Sequence, residues 1–197
     1  AGIRSYKGNE YTLNKPFTIE QGIDLFKDDL LQSAPGTQFL YSSYGINLIS
    51  YAIEKCLYRK FEDIAKDEVF KPLNMWNTFP DRGKIINNEA TPYTRSKKGL
   101  NNATEVNNYF KLAGGGFLST SHDIAKMGIA IERHSFLSQA IEYEMLQKQC
   151  TIDDEEVNYG ICWQNQTDWN SREYFGHTGM GVGGCGLCHA YHCAVHT

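Results

Sequence analysis

A turn followed by a helix, over residues 35–57, constrains this chain more than any other stretch. A Pro-Gly dipeptide opens it, which is typical of a turn. Ser42 or Ser43 can then cap a helix, because a hydroxyl oxygen accepts hydrogen bonds from the unpaired N–H groups of the first turn. Apolar residues recur on one helical face, at Ile46, Ile49, Ile53 and Leu57. The pattern predicts a helix that starts near residue 44, with Tyr41 just ahead of its N-terminus.

The position of Tyr41 allows two interpretations. The positive end of a helix dipole favours the anion of a phenol, which is the property that a tyrosine needs in order to pass protons. The alternative is a structural tyrosine, buried where the helix begins. This stretch alone leaves both open.

Two glycine-containing stretches follow in the chain. Residues 113–120 read Ala-Gly-Gly-Gly-Phe-Leu-Ser-Thr and lead into another helical pattern, and residues 176–179 read Gly-His-Thr-Gly. A triple glycine can cradle a phosphate, but no Lys-Ser or Lys-Thr pair follows it here, so nucleotide binding is not indicated.

These stretches, in this order, resemble the penicillin-recognising serine hydrolase family. The family contains class C beta-lactamases, D-alanyl-D-alanine carboxypeptidases and related esterases. Residues 35–42 fit its Pro-Gly-x-x-Phe-x-Tyr-Ser element, residues 25–29 (Leu-Phe-Lys-Asp-Asp) resemble an upstream segment, and the likeness covers roughly residues 20–184. It is greatest to a mitochondrial branch found in animals. It implies an α+β fold (α/β in the broad sense) of the beta-lactamase/transpeptidase type, with an antiparallel sheet flanked by helices and a helical subdomain, incomplete at both ends.

The resemblance also implies catalytic residues. The reaction of the family is acyl transfer through a serine ester, which requires a Ser-x-x-Lys pair on one helical turn and a second proton-relay group. Tyr41 matches the relay position. His177 stands where the family often has Lys, and a neutral imidazole there can still donate one hydrogen bond to a substrate.

Four further positions match the substrate-binding part of the family pattern. Ser43 stands where Asn is frequent, and Thr178 and Gly179 complete the strand motif begun by His177. The backbone N–H of Met180 is the candidate oxyanion donor of this strand.

A nucleophile is absent from the pattern. No serine in the sequence has Lys three positions later; Ser96 has Lys at the next two positions and Gly at the third. We therefore expect either that an N-terminal segment is missing or that the product cannot acylate. The predicted function is a fragment of a serine hydrolase, of peptidase, esterase or beta-lactamase-like type. The alternative is a catalytically inactive scaffold or interaction protein of the same fold.

The C-terminal residues depart from the family. We divide the chain into a loop or tether at 1–17, a partial beta-lactamase-related domain at 18–184 and an atypical Cys/His-rich tail at 185–197. Cys185-x-x-Cys188-His189 matches the attachment pattern of c-type haem, and Cys and His at these spacings can also hold zinc. A chain end this short offers little to enclose a metal, so we expect an altered or truncated end without metal or cofactor. The scattered Cys56, Cys150 and Cys162 indicate free thiols.

Composition limits the partners. Hydrophobic residues make up 41% of the chain and aromatic residues 13%, which indicates a folded globular protein. A net charge of -4 gives no electrostatic reason to expect nucleic acid, and no apolar run approaches the ~20 residues of a transmembrane helix. The resemblance implies a small peptide, ester or lactam-like substrate, no cofactor, a mitochondrial location and a role touching lipid metabolism. An incomplete sheet would leave unpaired edges, which favour self-association.

The remaining pattern predicts further elements along the chain. Thr18 and Gln21 resemble a capping box, and Pro72 ends a helix that begins at Phe61. A long irregular excursion with short strands near residues 92–94 fills residues 77–108. Further predicted elements are a helix capped within residues 119–121, a helix at 139–149, and strands at 159–163 and 172–175.

Overall fold

The computed structural model describes residues 1–83 and 86–191 of the chain. Its helices are α1 (Ile19–Ile23), α2 (Ser43–Leu57), α3 (Phe61–Ala65), α4 (Leu112–Gly115), α5 (Ser121–Glu132) and α6 (Gln139–Leu146). Its strands are β1 (Phe79–Pro80), β2 (Tyr93–Ser96), β3 (Gly99–Asn102), β4 (Phe117–Leu118), β5 (Gln164–Thr167), β6 (Glu173–Gly181) and β7 (Gly184–Tyr191). The predicted α+β class, with helices beside an antiparallel sheet, is confirmed. None of the helices within the described ranges is long and apolar enough to cross a bilayer.

Hydroxyl side chains cap α1, α2, α5 and α6, and the sequence predicts the first three of these caps. Thr18 accepts from the backbone N–H of Gln21, whose side chain accepts from the N–H of Thr18 in return, so the capping box before α1 is confirmed. Of the two serines considered for α2, Ser42 is the cap. Thr120 caps α5 and Ser138 caps α6. Each cap pairs an N–H group that the helix itself leaves unpaired.

The helix predicted from Phe61 is present in two parts. The α-helical turn of α3 continues as a π-helical turn over Lys66–Phe70, in which the N–H of Lys71 donates to the carbonyl of Lys66 at 2.9 Å. Pro72 follows directly and has no N–H with which to extend the helix.

A three-stranded antiparallel sheet, in the order β5-β6-β7, is the main β structure. The β6–β7 ladder runs from the pair Tyr174–Tyr191 to the pair Gly181–Gly184. Thus residue 184, where the sequence analysis places the end of the domain, lies inside a hairpin. Residues 185–191 belong to β7, and residues 192–197 lie outside the described residues. A second hairpin, β2–β3, forms within residues 77–108 at the predicted short strands.

The predicted strand at residues 159–163 is wrong. Tyr159 makes one isolated bridge to Gln164, and the strand β5 begins only at Gln164. Cys162 has a φ of 66°, and the N–H of Gly160 donates to the carbonyl of Trp163 at 2.7 Å. A left-handed residue inside a tight turn cannot continue an extended ladder. The alternation of apolar residues in this stretch reflects a turn that packs its aromatic side chains.

The core of the helical part lies between α1 and α2. Phe26 stacks on Tyr44 with ring centroids 4.3 Å apart, Tyr6 meets Tyr44 edge-on at 4.6 Å, and Ile23 completes the cluster. Tyr44 is fully buried. Burial of aromatic surface is the largest single apolar contribution that side chains make.

The buried face of α2 differs from its most apolar face. Tyr44, Asn47 and Ser50 are buried, whereas Ile49 and Leu57, from the stripe identified in the sequence, are about half exposed. The buried stripe has the same helical spacing but carries polar groups with specific partners. The hydroxyl of Ser50 donates to the carbonyl of Asn47, and the side-chain oxygen of Asn47 accepts from the N–H of Gly114. The amide nitrogen of Asn47 is buried without a hydrogen-bond partner among the described residues.

Arg4 joins the N-terminal segment to this helical core. Its guanidinium donates to both carboxylate oxygens of Glu10, at 2.7 and 2.9 Å, and to the carbonyl of Leu25 at 2.8 Å. The Nε group donates to Asp29, and the carbonyl of Arg4 accepts from the Ser42 hydroxyl at 2.6 Å. Burial raises the pKa of Glu10, but the hydrogen bonds from Arg4, from the Lys7 backbone and from Tyr44 lower it more, so it stays below its usual value.

Replacing Arg4 with Met is expected to destabilise the fold by about 3–5 kcal/mol, because Glu10 would keep a buried charge without its partner. The matched control is Lys7→Met. Lys7 lies 3.7 Å from the same Asp29, but its side chain is 62% exposed, so its loss should cost less than about 1 kcal/mol. Urea denaturation followed by circular dichroism measures both; equal losses would contradict the role assigned to Arg4.

Candidate active site

Tyr41 lies at the boundary between the helical part and the sheet. It precedes Ser42, the cap of α2, and its side chain is 50% exposed rather than buried. The Ser5 hydroxyl donates to the carbonyl of Tyr41 at 3.3 Å, which ties the segment to the N-terminal residues. The ring of Tyr41 faces β6, where its centroid lies 5.9 Å from that of His177. The fold therefore brings the two residues predicted to be catalytic into one cluster.

Tyr159 is a third member of this cluster, and the sequence analysis missed it. Its hydroxyl lies 2.5 Å from Nε2 of His177. Its ring meets the imidazole edge-on at 5.8 Å and lies 6.3 Å from the ring of Tyr41. Phe39 packs against its other side, at 5.1 Å. The available signal was Gly160, because glycine is frequent in turns, but we assigned this stretch to a strand.

The environment of Tyr159 keeps its phenol protonated. Burial raises the pKa of Tyr159 above its usual range, and the neighbouring phenol of Tyr41 and thiol of Cys162 raise it further. At neutral pH this hydroxyl is therefore a hydrogen-bond donor with its proton in place. The half-exposed Tyr41 beside it lies at the open side of the cluster.

The polar groups of Thr178 are paired with a neighbouring strand. The amide of Gln164, at the start of β5, accepts from the N–H of Thr178 and donates to its hydroxyl oxygen, both at 3.2 Å. The hydroxyl proton of Thr178 keeps its capacity to donate to another acceptor. Thr178, Gly179 and Met180 are exposed along β6, and Met180 is 85% exposed. These predicted substrate-binding residues thus line one accessible edge next to His177.

Ser43 belongs to the helical side of the cleft. It opens α2 and lies near the phenol of Tyr6, as does Asn47. Burial raises the pKa of Tyr6 to about 12, against the opposing effect of these two neighbours. Asn47 in turn accepts from the N–H of Gly114 at 2.9 Å. A side chain at Gly114 would meet Asn47 Oδ1 at 2.8 Å and the carbonyl of Ser43 at 3.0 Å, so glycine allows α4 to approach the start of α2.

A chain of contacts connects the end of β6 to the interior. The hydroxyl of Tyr11 donates to the carbonyl of Met180 at 2.8 Å, and the carbonyl of Tyr11 accepts from the ammonium of Lys111 at 2.9 Å. These contacts fix the carbonyl next to the N–H that is predicted to be the oxyanion donor. The assignment of that N–H stays a prediction.

Lys111 is a buried cation enclosed by aromatic rings. It is 4% exposed, and its Nζ lies 5.8, 5.1 and 5.3 Å from the ring centroids of Tyr6, Tyr11 and Phe110. Burial lowers its pKa to about 8. The faces of the rings partly compensate the charge for lost hydration.

The cysteines of the described residues are free thiols, at Cys56, Cys150, Cys162, Cys185 and Cys188. Burial raises the pKa of Cys188, which lies opposite His177 in the β6–β7 ladder, so this thiol is neutral. Within residues 1–83 and 86–191, no three His, Cys, Asp or Glu side chains come together as metal ligands.

This fold and this cleft define the class of the protein. The sequence model of the family described as Beta-lactamase matches residues 1–191. The chain belongs to the beta-lactamase family of serine hydrolases, as its motifs predict.

Individual relatives agree with this assignment. The chain is 31% identical, over 204 residues, to the serine beta-lactamase-like protein LACTB, mitochondrial, of Mus musculus; the match covers 90% of this chain and 37% of the relative. The chain thus spans little more than a third of the length of that protein.

Solved structures show the same fold at lower identity. A penicillin-binding protein from Bacillus halodurans has a TM-score of 0.80 at 18% identity, covering 97% of this chain and 61% of its own. The octameric penicillin-binding protein homologue from Pyrococcus abyssi has a TM-score of 0.75 at 22% identity, and the match covers 89% of this chain and 41% of that structure.

Replacing Lys111 with Met should remove a pH dependence of stability. The ordinary lysine pKa of 10.5 falls to about 8 in the folded chain, so between these values the unfolded chain binds more protons. Stability should therefore rise with pH from about 8 to 10, by at most about 1.4 kcal/mol per pH unit. Chemical denaturation at several pH values measures the free energy of unfolding of the chain and of Lys111→Met. The value for the chain minus the value for the variant should increase over this interval. A constant or decreasing value would contradict a buried site that disfavours the charged lysine.

A methyl group at Gly176, directly before His177, should disrupt the pairing that positions this histidine. It would lie 2.0 Å from the carbonyl oxygen of Cys188 on β7, so Gly176→Ala is expected to cost about 1–3 kcal/mol. Gly186→Ala is the matched control in the same hairpin, because a methyl group there meets no atom within 4 Å; its effect should stay within about 0.5 kcal/mol. Urea denaturation compares the two, and equal effects would refute the packing argument.

Proposed function

We propose that these residues are part of a serine hydrolase, of peptidase, esterase or beta-lactamase-like type, that acts by acyl transfer. The nucleophile is the serine of a Ser-x-x-Lys pair outside this sequence. The observation that carries the proposal is the cluster of Tyr41, Tyr159 and His177, which joins the start of α2 to β6. Membership of the beta-lactamase family, together with a chain that spans 37% of the mouse relative, supports the location of the nucleophile elsewhere.

The proposed roles follow from the chemistry of each group. Tyr41 is the proton relay between the serine and the leaving group, since its phenol is exposed on the side of the cluster that faces solvent. The N–H of Met180 stabilises the oxyanion, and Ser43, Thr178 and Gly179 hold the substrate. The substrate is a small peptide, ester or lactam.

Two further proposals rest on the relatives. The mouse relative is named as mitochondrial, and we propose that location for this protein, with the role in lipid metabolism that the resemblance implies. Self-association is proposed because a homologue with the same fold is octameric. Exposed apolar side chains at Leu30, Leu31 and Ile49 offer a surface for it.

The test is covalent labelling of the protein as its source makes it. We expect a fluorophosphonate probe to form one adduct on a serine of a Ser-x-x-Lys pair, and none on any serine of residues 1–197. Mass spectrometry of the intact protein and of its peptides locates the adduct. Tyr41→Phe should slow labelling by about 10²–10⁴-fold, because the serine loses its proton relay.

The control for the tyrosine variant is Tyr143→Phe. Tyr143 lies on α6 and is 68% exposed, so its phenol should be dispensable for labelling. An adduct within residues 1–197 would refute the location proposed for the nucleophile. Failure of the native protein to label, beside a serine hydrolase that labels in the same sample, would refute acyl transfer and favour the scaffold alternative.

A further inference from the structure

The hydrogen bonds of His177 define which of its ring nitrogens carries the proton. Nδ1 lies 2.5 Å from the carbonyl oxygen of Thr178. A carbonyl oxygen can only accept a hydrogen bond, so Nδ1 must be the donor and must be protonated. This part of the assignment does not depend on the overall charge of the imidazole.

The second nitrogen faces a group that can donate. Nε2 lies 2.5 Å from the hydroxyl of Tyr159, and the phenol keeps its proton because burial disfavours its anion. In a neutral imidazole with its proton on Nδ1, Nε2 carries a lone pair and accepts from this hydroxyl. Both nitrogens then have a partner of the right kind without a net charge.

The groups that contact the ring are uncharged. The partners of His177 are the phenol of Tyr159, the ring of Tyr41 and the carbonyl of Thr178, none of which carries a charge. Across the ladder, the thiol of Cys188 is neutral as well.

We propose that the carbonyl of Thr178 fixes His177 as the neutral imidazole protonated at Nδ1, and that Tyr159 is a positioning residue whose hydroxyl occupies Nε2. The catalytic consequence of this proposal rests on the proposed serine hydrolase function. The protonation of the two ring nitrogens is a property of the folded chain itself. With both nitrogens occupied, His177 has no donor left for a substrate carboxylate. This differs from the sequence-based expectation that its imidazole donates a hydrogen bond to the substrate.

For substrate recognition, this means that the site has no cation at His177. A substrate carboxylate would gain a partner here only if it displaced the hydroxyl of Tyr159 and Nε2 took up a proton from solvent. The site therefore fits acyl donors, such as esters and amides, that have no carboxylate beside the scissile bond. The polar groups they meet are the hydroxyls of Thr178, Tyr41 and Tyr159, which are all uncharged.

The test is nuclear magnetic resonance of the 15N-labelled 197-residue chain at a pH of about 8, above the ordinary titration of histidine. Multiple-bond 1H–15N correlation distinguishes protonated from unprotonated ring nitrogens, and loss of signals in His177→Gln assigns the ring. We expect Nδ1 to be protonated and Nε2 unprotonated, with an excess of roughly tenfold over the other tautomer, the ratio that one hydrogen bond can set. A ring protonated at Nε2, or at both nitrogens, would overturn the proposal.

Variants separate the effect of the hydroxyl from that of the fold. Tyr159→Phe keeps the ring and the hydrogen bond from Nδ1 to Thr178, so the excess of the Nδ1 tautomer should persist while the 15N signal of Nε2 shifts because it loses its donor. Tyr41→Phe, which removes the neighbouring phenol, should leave both the ratio and the Nε2 signal unchanged. A ratio near one in Tyr159→Phe would overturn the role of the Thr178 carbonyl, and an unchanged Nε2 signal in Tyr159→Phe would overturn the role of Tyr159. Circular dichroism checks folding, and should Tyr159→Phe fail to fold, the tautomer of the unmodified chain still decides.

Sodium acetate, with sodium chloride as the ionic control, probes the site with a carboxylate. We expect the Nε2 signal of His177 to stay that of an unprotonated nitrogen. Acetate-dependent conversion to the doubly protonated ring would overturn the proposal. Since none of these measurements requires turnover, they remain decisive should the protein fail to label with the fluorophosphonate.

Discussion

The guanidinium of Arg4 is the interaction on which the helical part of this protein depends. A buried cation must find acceptors for its fixed set of donors, and Arg4 finds them on Glu10, on Asp29 and on the carbonyl of Leu25. These groups come from two segments, one around Glu10 and one over residues 25–29, so one side chain sets their relative positions. The carbonyl of Arg4 then accepts from Ser42, the cap of α2, and thereby extends the same network to the segment that presents Tyr41.

The cleft forms where this helical part meets the sheet, and its chemistry depends on both. The helical part contributes Tyr41 and Ser43, and the sheet contributes the edge of β6 that begins at His177. Tyr159 belongs to neither a helix nor a strand. The turn around Cys162 directs it back onto the imidazole, and Phe39 holds its ring from the other side. A residue outside regular structure thus connects the two halves of the cleft.

Much of the fold was predictable from the sequence, because helix starts are local events. Thr18 with Gln21 and the serine before α2 depend only on neighbours a few positions away, and these predictions are confirmed. The buried face of α2 was not predictable from apolar residues alone. It is selected by partners distant in sequence, such as Phe26 against Tyr44 and Gly114 against Asn47. The role of Tyr159 depends on a positive φ at Cys162, a conformation that no periodic pattern reports.

The hydrogen bond from Tyr11 to Met180 spans 169 residues of sequence, and that from Lys111 to Tyr11 spans 100. Contacts of this range close large loops. The chain loses the conformational entropy of loop closure before the contact can stabilise it. The helical cluster of Phe26 and Tyr44 is far more local and can form first. In kinetic terms, we therefore expect the contacts that place strand β6 to form late in folding, after the local helical cluster.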